Sequence, residues 1–315
     1  MTQTATEENA IPLPPRRSDR PITIAHRIEY GALVFLLAFF RVIGLDTSSF
    51  IAGKFCRVVG PLLKTIHSRG ERNLRMIYPD WSEKDIKETL AGAWENIGRT
   101  AAEFAHLEKF DPRKDDGRLE IDGVEKVLAL AASGEPAIIV SGHFANWELM
   151  PVCFFAADID YDVVYRPANN PLVDELIIKT RGAVMTRRQI PKSLYSLRAL
   201  FDTLKDGRTL AMLADQKLND GIEAPFFDRP AMTLHAPARL SLKFGVPIIP
   251  AAIARKNGAC FKITVKDPIA YAPTGDLHAD ALAITTLINE SLEEDIRAHP
   301  DQWLWFHRRW PKDVQ

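Results

Sequence analysis

The stretch Ala137-Ile-Ile-Val-Ser-Gly-His-Phe-Ala-Asn-Trp-Glu148 decides how the rest of the chain is read. Its first four residues form an apolar run with no polar alternation, the mark of a strand buried on both faces. Gly142 permits a tight turn, His143 follows, and Asn146 offers an N-cap to a helix predicted over 146–156. A buried strand feeding a helix is the unit from which parallel sheets are built. In open sheets of that kind, reactive groups gather just past the carboxyl ends of the strands, where His143 falls.

Working outward, short apolar runs recur at 161–165, 209–213, 246–253 and 261–265, with helical patterns near 171–180, 193–205 and 236–244 between them. This alternation predicts an α/β fold with a mostly parallel central sheet flanked by helices. Upstream, 81–107 reads as a helix: Ser82 caps it, Asp85 closes the box, and Leu90, Trp94, Ile97, Ala101 and Phe104 recur at helical spacing. Residues 279–297 form a final amphipathic helix.

The chain has 315 residues, 46% hydrophobic and 26% charged, with 40 Lys and Arg against 41 Asp and Glu. That composition excludes disordered, collagen-like and polytopic membrane chains. A net charge of −1 gives no global case for a nucleic-acid partner. Cys56, Cys153 and Cys260 are scattered and odd in number, which fits neither a disulfide framework nor a zinc site. Residues 1–21 read as a disordered, basic and proline-rich tail. Within 22–66, the run Tyr30-Gly-Ala-Leu-Val-Phe-Leu-Leu-Ala-Phe-Phe40 has no polar face. As a helix over 30–45 it would be about 24 Å long, short of a hydrocarbon core of roughly 30 Å. It is read as an apolar membrane anchor that dips in or barely crosses, with basic flanks suited to anionic headgroups. The third segment, 67–315, carries the α/β pattern and is expected to form the main domain.

The nucleophile elbow, the phosphate-binding P-loop, His-Glu-x-x-His and the dinucleotide fingerprint are all missing from the sequence. What remains is His143 with Glu148. Five residues at 100° each set them about 140° apart on a regular helix, so they meet only if His143 lies in the loop and Glu148 in the first turn. Glu148 would then bond one imidazole nitrogen, fix the tautomer and raise the basicity of the other. A histidine at this spacing from a glutamate is ordinarily just a satisfied loop residue; the strand, the glycine and the helix start set this one apart.

Gly142-His-Phe-Ala-Asn-Trp-Glu148 resembles the signature block of the bacterial lipid A late acyltransferases, within the lysophospholipid acyltransferase superfamily whose hallmark is His-x-x-x-x-Asp/Glu. Further blocks match in order: Val164-Tyr-Arg-Pro-Ala-Asn-Asn-Pro-Leu-Val-Asp174, Ala214-Asp-Gln216, Phe226-Phe-Asp-Arg-Pro-Ala-Met-Thr233, Gly245-Val-Pro-Ile-Ile-Pro250 and Trp303-Leu-Trp-Phe-His-Arg-Arg309. The chain departs from the pattern at Ala145 and Asp228, where glycine is usual, and at His235-Ala236, where a glycine is more typical before Pro237.

The resemblance implies transfer of a fatty acyl chain from an acyl carrier protein thioester to a hydroxyl of a lipid A precursor. The enzyme would act at the cytoplasmic side of the bacterial inner membrane, with membrane lipids as further partners and no metal or cofactor. It gives His143 the role of general base, with Glu148 orienting it. Arg166, which follows the run 161–165, becomes a candidate for oxyanion or phosphate stabilisation, and Arg229 a candidate phosphate ligand. Asn146, Asp215 and Gln216 fall at the same active edge. Asp215 has a second reading, as a structural carboxylate paired with an arginine, and Asn170 and Asp174 are read as organising the Arg166 loop. Arg187, Arg188, Lys192 and Arg198, with His307, Arg308 and Arg309, are read as basic surface. Other acceptors (a lysophospholipid, a mannosylated inositol lipid) and a lipid hydrolase using the same pair are the alternatives.

Overall fold

The computed structural model describes residues 21–192 and 196–311. Nearly all of the expected tail, with Arg16, Arg17 and Arg20, lies outside the described residues, as does Ser193.

Four helices lead the chain: α1 (Ile24–Ile43), α2 (Leu45–Val59), α3 (Lys64–Ile77) and α4 (Glu83–Glu103). The α/β part follows as β1 (Leu119–Asp122), α5 (Val124–Ser133), β2 (Ile138–Ser141), α6 (Met150–Ala156), β3 (Tyr161–Tyr165), α7 (Pro171–Arg181), β4 (Gln189–Pro191), α8 (Leu197–Lys205) and β5 (Thr209–Leu213). The hairpin β6 (Lys217–Phe226) and β7 (Arg229–Thr233) comes next, then α9 (Ala236–Phe244), β8 (Ile248–Asn257), β9 (Cys260–Val265) and α10 (Leu277–Ala298).

Seven strands form one sheet in the order β1-β9-β8-β2-β5-β3-β4. Every neighbouring pair is parallel except β8 with β9, as the alternating pattern predicts. β2 lies at the centre, between β8 and β5, and all four of its residues are buried. That position explains its unbroken apolar run: with helices covering both faces, no side chain of the strand meets water. Helices α5, α6, α8, α9 and α10 pack against the sheet.

Two predicted boundaries change. The anchor helix begins earlier than expected, at Ile24, and ends at Ile43, where Gly44 takes φ 85°. Among the described residues no helix is long and apolar enough to cross a membrane, which corrects the expectation of a barely crossing anchor. Nor is α1 apolar without a side. Phe40 is buried in a cluster with Ala52, Ala102 and Ala105, and Arg41 Nε donates to the Ala105 carbonyl at 2.9 Å. On the open side, Ile24, Ile28, Phe35, Phe39 and Val42 are exposed and at 100° per residue fall within about 60° of one another, with exposed Val34 and Leu36 flanking them on either side. In α2, Ile51, Phe55 and Val58 are likewise exposed and lie within about 60°.

The boundary expected at residue 66 falls inside α3, and α2 packs closely on α4. A Cβ at Gly98 would sit 2.2 Å from the Ala52 carbonyl oxygen, so only glycine lets these helices approach so far. The leading helices are thus continuous with the packing of the sheet domain.

Candidate active site

The register of the sheet builds the site. Ser141 pairs with Leu213, so the residues two beyond each strand end, His143 and Asp215, leave the central sheet side by side. Asp215 is fully buried and uses both oxygens on the loop after β2. Its Oδ2 accepts the His143 backbone N–H at 2.8 Å, and its Oδ1 lies 2.7 Å from His143 Nδ1. Trp303 Nε1–H also donates to Oδ2, at 2.9 Å. Burial by itself would raise the Asp215 carboxyl, but the adjacent His143 outweighs it and, with these hydrogen bonds, holds the group well below the usual carboxylate range. An anionic Asp215 can only accept, so Nδ1 carries the proton and Nε2 keeps its lone pair. Gln216 Nε2 lies within hydrogen-bond distance of His143 Nε2, at 3.3 Å, and the Trp147 ring centroid lies 5.2 Å from that of the imidazole. Gly142 makes the approach possible, since a Cβ there would lie 2.5 Å from the Phe144 ring and 3.3 Å from Asp215 Oδ2.

The expected imidazole–carboxylate contact is therefore present, but its carboxylate is Asp215 and not Glu148. Glu148 lies in a 3₁₀ turn, Trp147–Leu149, capped by Asn146 Oδ1 as predicted. Its two oxygens face Arg181 at the end of α7, at 2.6 and 2.7 Å from Nη2 and Nε. A bidentate guanidinium is the stronger partner for a buried carboxylate and takes it out of play for the imidazole. Burial would lower the Arg181 guanidinium, but Glu148 reverses this and raises it.

Both ends of the chain hold the loop around His143. Asn96 Nδ2 and Thr100 Oγ1 of α4 donate to the Ala145 carbonyl, each at 2.8 Å, and Asn146 Nδ2 donates to Glu103 at 3.0 Å. Glu103 in turn pairs with Arg255 of β8 and accepts from Ser49 of α2. From the other end, Ala145 N–H donates to Gln302 and Leu304 N–H to the His143 carbonyl. The two positions where glycine is usual both have left-handed backbone: Ala145 at φ 42° and Asp228 at φ 56°.

The other predicted residues separate. Arg166 follows β3 at the same edge and is exposed. Asp174 organises its loop as expected, accepting from Tyr165 Oη and the Ala168 N–H, while Asn170 caps α7. Arg229 opens β7, and its Nη2 donates to the Met76 carbonyl, tying the hairpin to α3. Arg309, expected on a basic surface, is fully buried against Thr233, Asn289 and the Phe226 ring. Arg188 is bound to Asp160 and Asp162. Trp303, Trp305 and Trp310 are core.

The sequence reading missed the pairing of Glu148 with Arg181 and the donor Trp303. His307, expected on a basic surface, instead has both ring nitrogens buried without a hydrogen-bond partner among the described residues, and its ring meets Trp303 edge-on at 5.0 Å. Burial pushes His307 down to about 3, so it is neutral beside the Asp215 carboxylate. The strand order, had it been known, would have revealed the His143–Asp215 pair from the register alone.

The chain belongs to the bacterial lipid A biosynthesis acyltransferase family, whose profile matches residues 22–312, and is an enzyme that transfers acyl groups. It is 24% identical over 242 residues to a lipid A biosynthesis lauroyltransferase of Escherichia coli, covering 76% of each chain. To the palmitoleoyltransferase of the same organism it is 22% identical over 268 residues, covering 82% of this chain and 83% of that one. A phosphatidylinositol mannoside acyltransferase of Mycobacterium tuberculosis is 22% identical over 232 residues, 71% of each. The 1-acyl-sn-glycerophosphate acyltransferase structure from Thermotoga maritima aligns at a TM-score of 0.36 and 14% identity, over 85% of this chain and 98% of its own.

Proposed function

We propose that the protein moves a fatty acyl chain from an acyl carrier protein thioester to a hydroxyl of a lipid A precursor, with His143 as general base. The observation that carries this reading is the His143–Asp215 pair, which engages Nδ1 and leaves Nε2, in contact with Gln216 alone, to act as the base. In the reaction, Nε2 takes the proton of the acceptor hydroxyl as its oxygen attacks the thioester carbonyl carbon. The tetrahedral intermediate collapses, the carbon–sulfur bond breaks, and the imidazolium returns the proton to the thiolate. One ester and one thiol replace one alcohol and one thioester. Asp215 stabilises the transient imidazolium and keeps Nδ1 protonated, while the hydrogen bonds from α4 and the 302–304 segment fix the loop in advance. Glu148 acts through Arg181, bracing the 3₁₀ turn against α7.

The exposed stripes of α1 and α2 support a surface mode of membrane binding. A helix with one apolar side open lies in the headgroup region instead of spanning the bilayer. The side proposed to bind is cytoplasmic, the inner-membrane face on which carrier-bound acyl chains are made available. The exposed Arg187 and Arg198 suit an acidic carrier protein.

The test is an assay with acyl carrier protein thioester and a tetra-acylated lipid A precursor. Acylated precursor is the expected product, and His143→Ala should abolish it in folded protein. Free fatty acid without acylated product would establish a hydrolase instead. Acylation of a mannosylated inositol lipid in preference to the precursor would favour the acceptor named for the mycobacterial relative.

A further inference from the structure

Two cations, Arg166 and Lys192, stand at the sheet edge that carries the dyad. β3 and β4 are parallel neighbours with Tyr165 opposite Pro191, and the Lys192 N–H donates to the Tyr165 carbonyl at 2.7 Å. Arg166 and Lys192 therefore leave adjacent strands at the same edge, next to β5, whose end carries Asp215. The carboxylates of this edge are engaged elsewhere: Asp215 by His143 and Trp303, Glu148 by Arg181, and Asp174 by Tyr165 and the Ala168 N–H. The arginines nearby are paired, Arg181 with Glu148 and Arg188 with Asp160 and Asp162. Among the described residues, neither Arg166 nor Lys192 has a carboxylate in ion-pair contact. Both residues are exposed; desolvation by neighbouring atoms pushes the Lys192 ammonium down, Asp215 pulls it back up, and the Arg166 guanidinium pushes it down again. Two like charges set side by side repel unless an anion joins them.

We infer that Arg166 and Lys192 together bind a phosphate of the phosphorylated substrate, making Lys192 a specificity-determining residue of the acyl-transfer site. The inference rests on the proposed role of His143, since it places the anion beside the group that deprotonates the acceptor. A planar guanidinium and a mobile ammonium are complementary donors for one phosphate group. Two sources share this chemistry: a phosphate ester on the acceptor glycolipid and the phosphodiester of the donor's pantetheine arm.

The experiment compares wild type, Lys192→Met and Lys192→Arg in a two-by-two design. The acceptor is a phosphorylated tetra-acyl disaccharide or its dephosphorylated counterpart, and the donor is an acyl carrier protein thioester or an acyl N-acetylcysteamine thioester, which lacks phosphate. Lys192→Met should raise KM about 10- to 100-fold with phosphorylated substrates, as loss of one charged hydrogen bond does, with kcat little changed. Lys192→Arg should recover most of the loss. A penalty that vanishes with the dephosphorylated acceptor assigns the site to the acceptor phosphate; one that vanishes with the simple thioester assigns it to the donor. An unchanged KM, or a kcat loss of equal size in all four arms, overturns the inference while leaving His143 as base. Calorimetric titration of detergent-solubilised protein with the phosphorylated disaccharide adds a readout independent of turnover. Tighter binding to wild type than to Lys192→Met is expected, and equal binding refutes the site.

Discussion

Replacing Asp215 with Asn keeps the shape of the side chain and changes one thing, its ability to accept three hydrogen bonds. Oδ2 now serves two donors, the His143 N–H at 2.8 Å and Trp303 Nε1–H at 2.9 Å, while Oδ1 serves Nδ1 at 2.7 Å. An asparagine has one carbonyl oxygen, and the position facing two donors will claim it. The NH₂ group then faces Nδ1 and forces that nitrogen to accept, so the ring proton moves to Nε2. The base is lost without any change in packing. A wrong tautomer and a missing counter-charge together should lower kcat about 10³- to 10⁴-fold. That corresponds to about 4–5.5 kcal/mol in barrier height. KM should stay within a few-fold, because Asp215 is buried behind the imidazole. The measurement is initial-rate transfer of labelled acyl chain to the lipid acceptor, with thermal unfolding to verify the fold. A kcat within tenfold of wild type, at unchanged melting temperature, would refute the assignment of Asp215 as the orienting carboxylate.

Glu148→Ala should destabilise the protein by about 3–5 kcal/mol, because it leaves the Arg181 guanidinium buried and uncompensated. The double change Glu148→Leu with Arg181→Leu should recover most of that stability in chemical denaturation; if activity stays lost while stability returns, Glu148 has a chemical role and the bracing role is wrong. His307 is neutral in the fold and takes up a proton on unfolding below its ordinary pKa of about 6.5, so the unfolded state binds more protons and stability falls as pH drops. With the folded value near 3, one such group costs up to about 1.4 kcal/mol per pH unit, or about 3 kcal/mol by pH 4. The folded Asp215 carboxyl stays ionised over that window, and its protonation in the unfolded state adds to the fall only near pH 4, in wild type and variant alike; His307→Phe should therefore flatten the slope by one proton, and superimposable denaturation profiles would count against this. Replacing Phe35, Val42, Phe55 and Val58 with serine should weaken binding to anionic vesicles at least ~100-fold, at about 1 kcal/mol per partly inserted side chain, with little effect on melting temperature. Unchanged co-sedimentation would remove the stripes from the membrane contact.

The central strands were legible because burial on both faces leaves a plain mark in sequence. β2, β3, β5 and β9 fall within one residue of their expected positions. β4 was hidden by its brevity and by Pro191, which an edge strand tolerates. β6 was hidden by Asn219-Asp220-Gly221, which reads as a turn but forms an irregularity between Lys217 and Ile222 within the strand. In the site, sequence spacing pointed to the right histidine because His143 sits where the strand ends. It could not choose the partner. Glu148 is five residues away and Asp215 is 72, yet the parallel register brings the distant one into contact. Long-range pairing of that kind is set by strand order, which hydrophobic periodicity does not encode. The same holds for Arg309, whose charge suggested a surface but whose partners lie on the hairpin and α10.

The clamp formed by residues 302–304 has a consequence for heat inactivation. Gln302 and Leu304 hold the backbone of the loop around the imidazole, and Trp303 holds its carboxylate partner. Detachment of this one segment removes all three tethers while the sheet stays folded, a local opening that needs less energy than global unfolding. Activity is thereby lost at a lower temperature than the sheet.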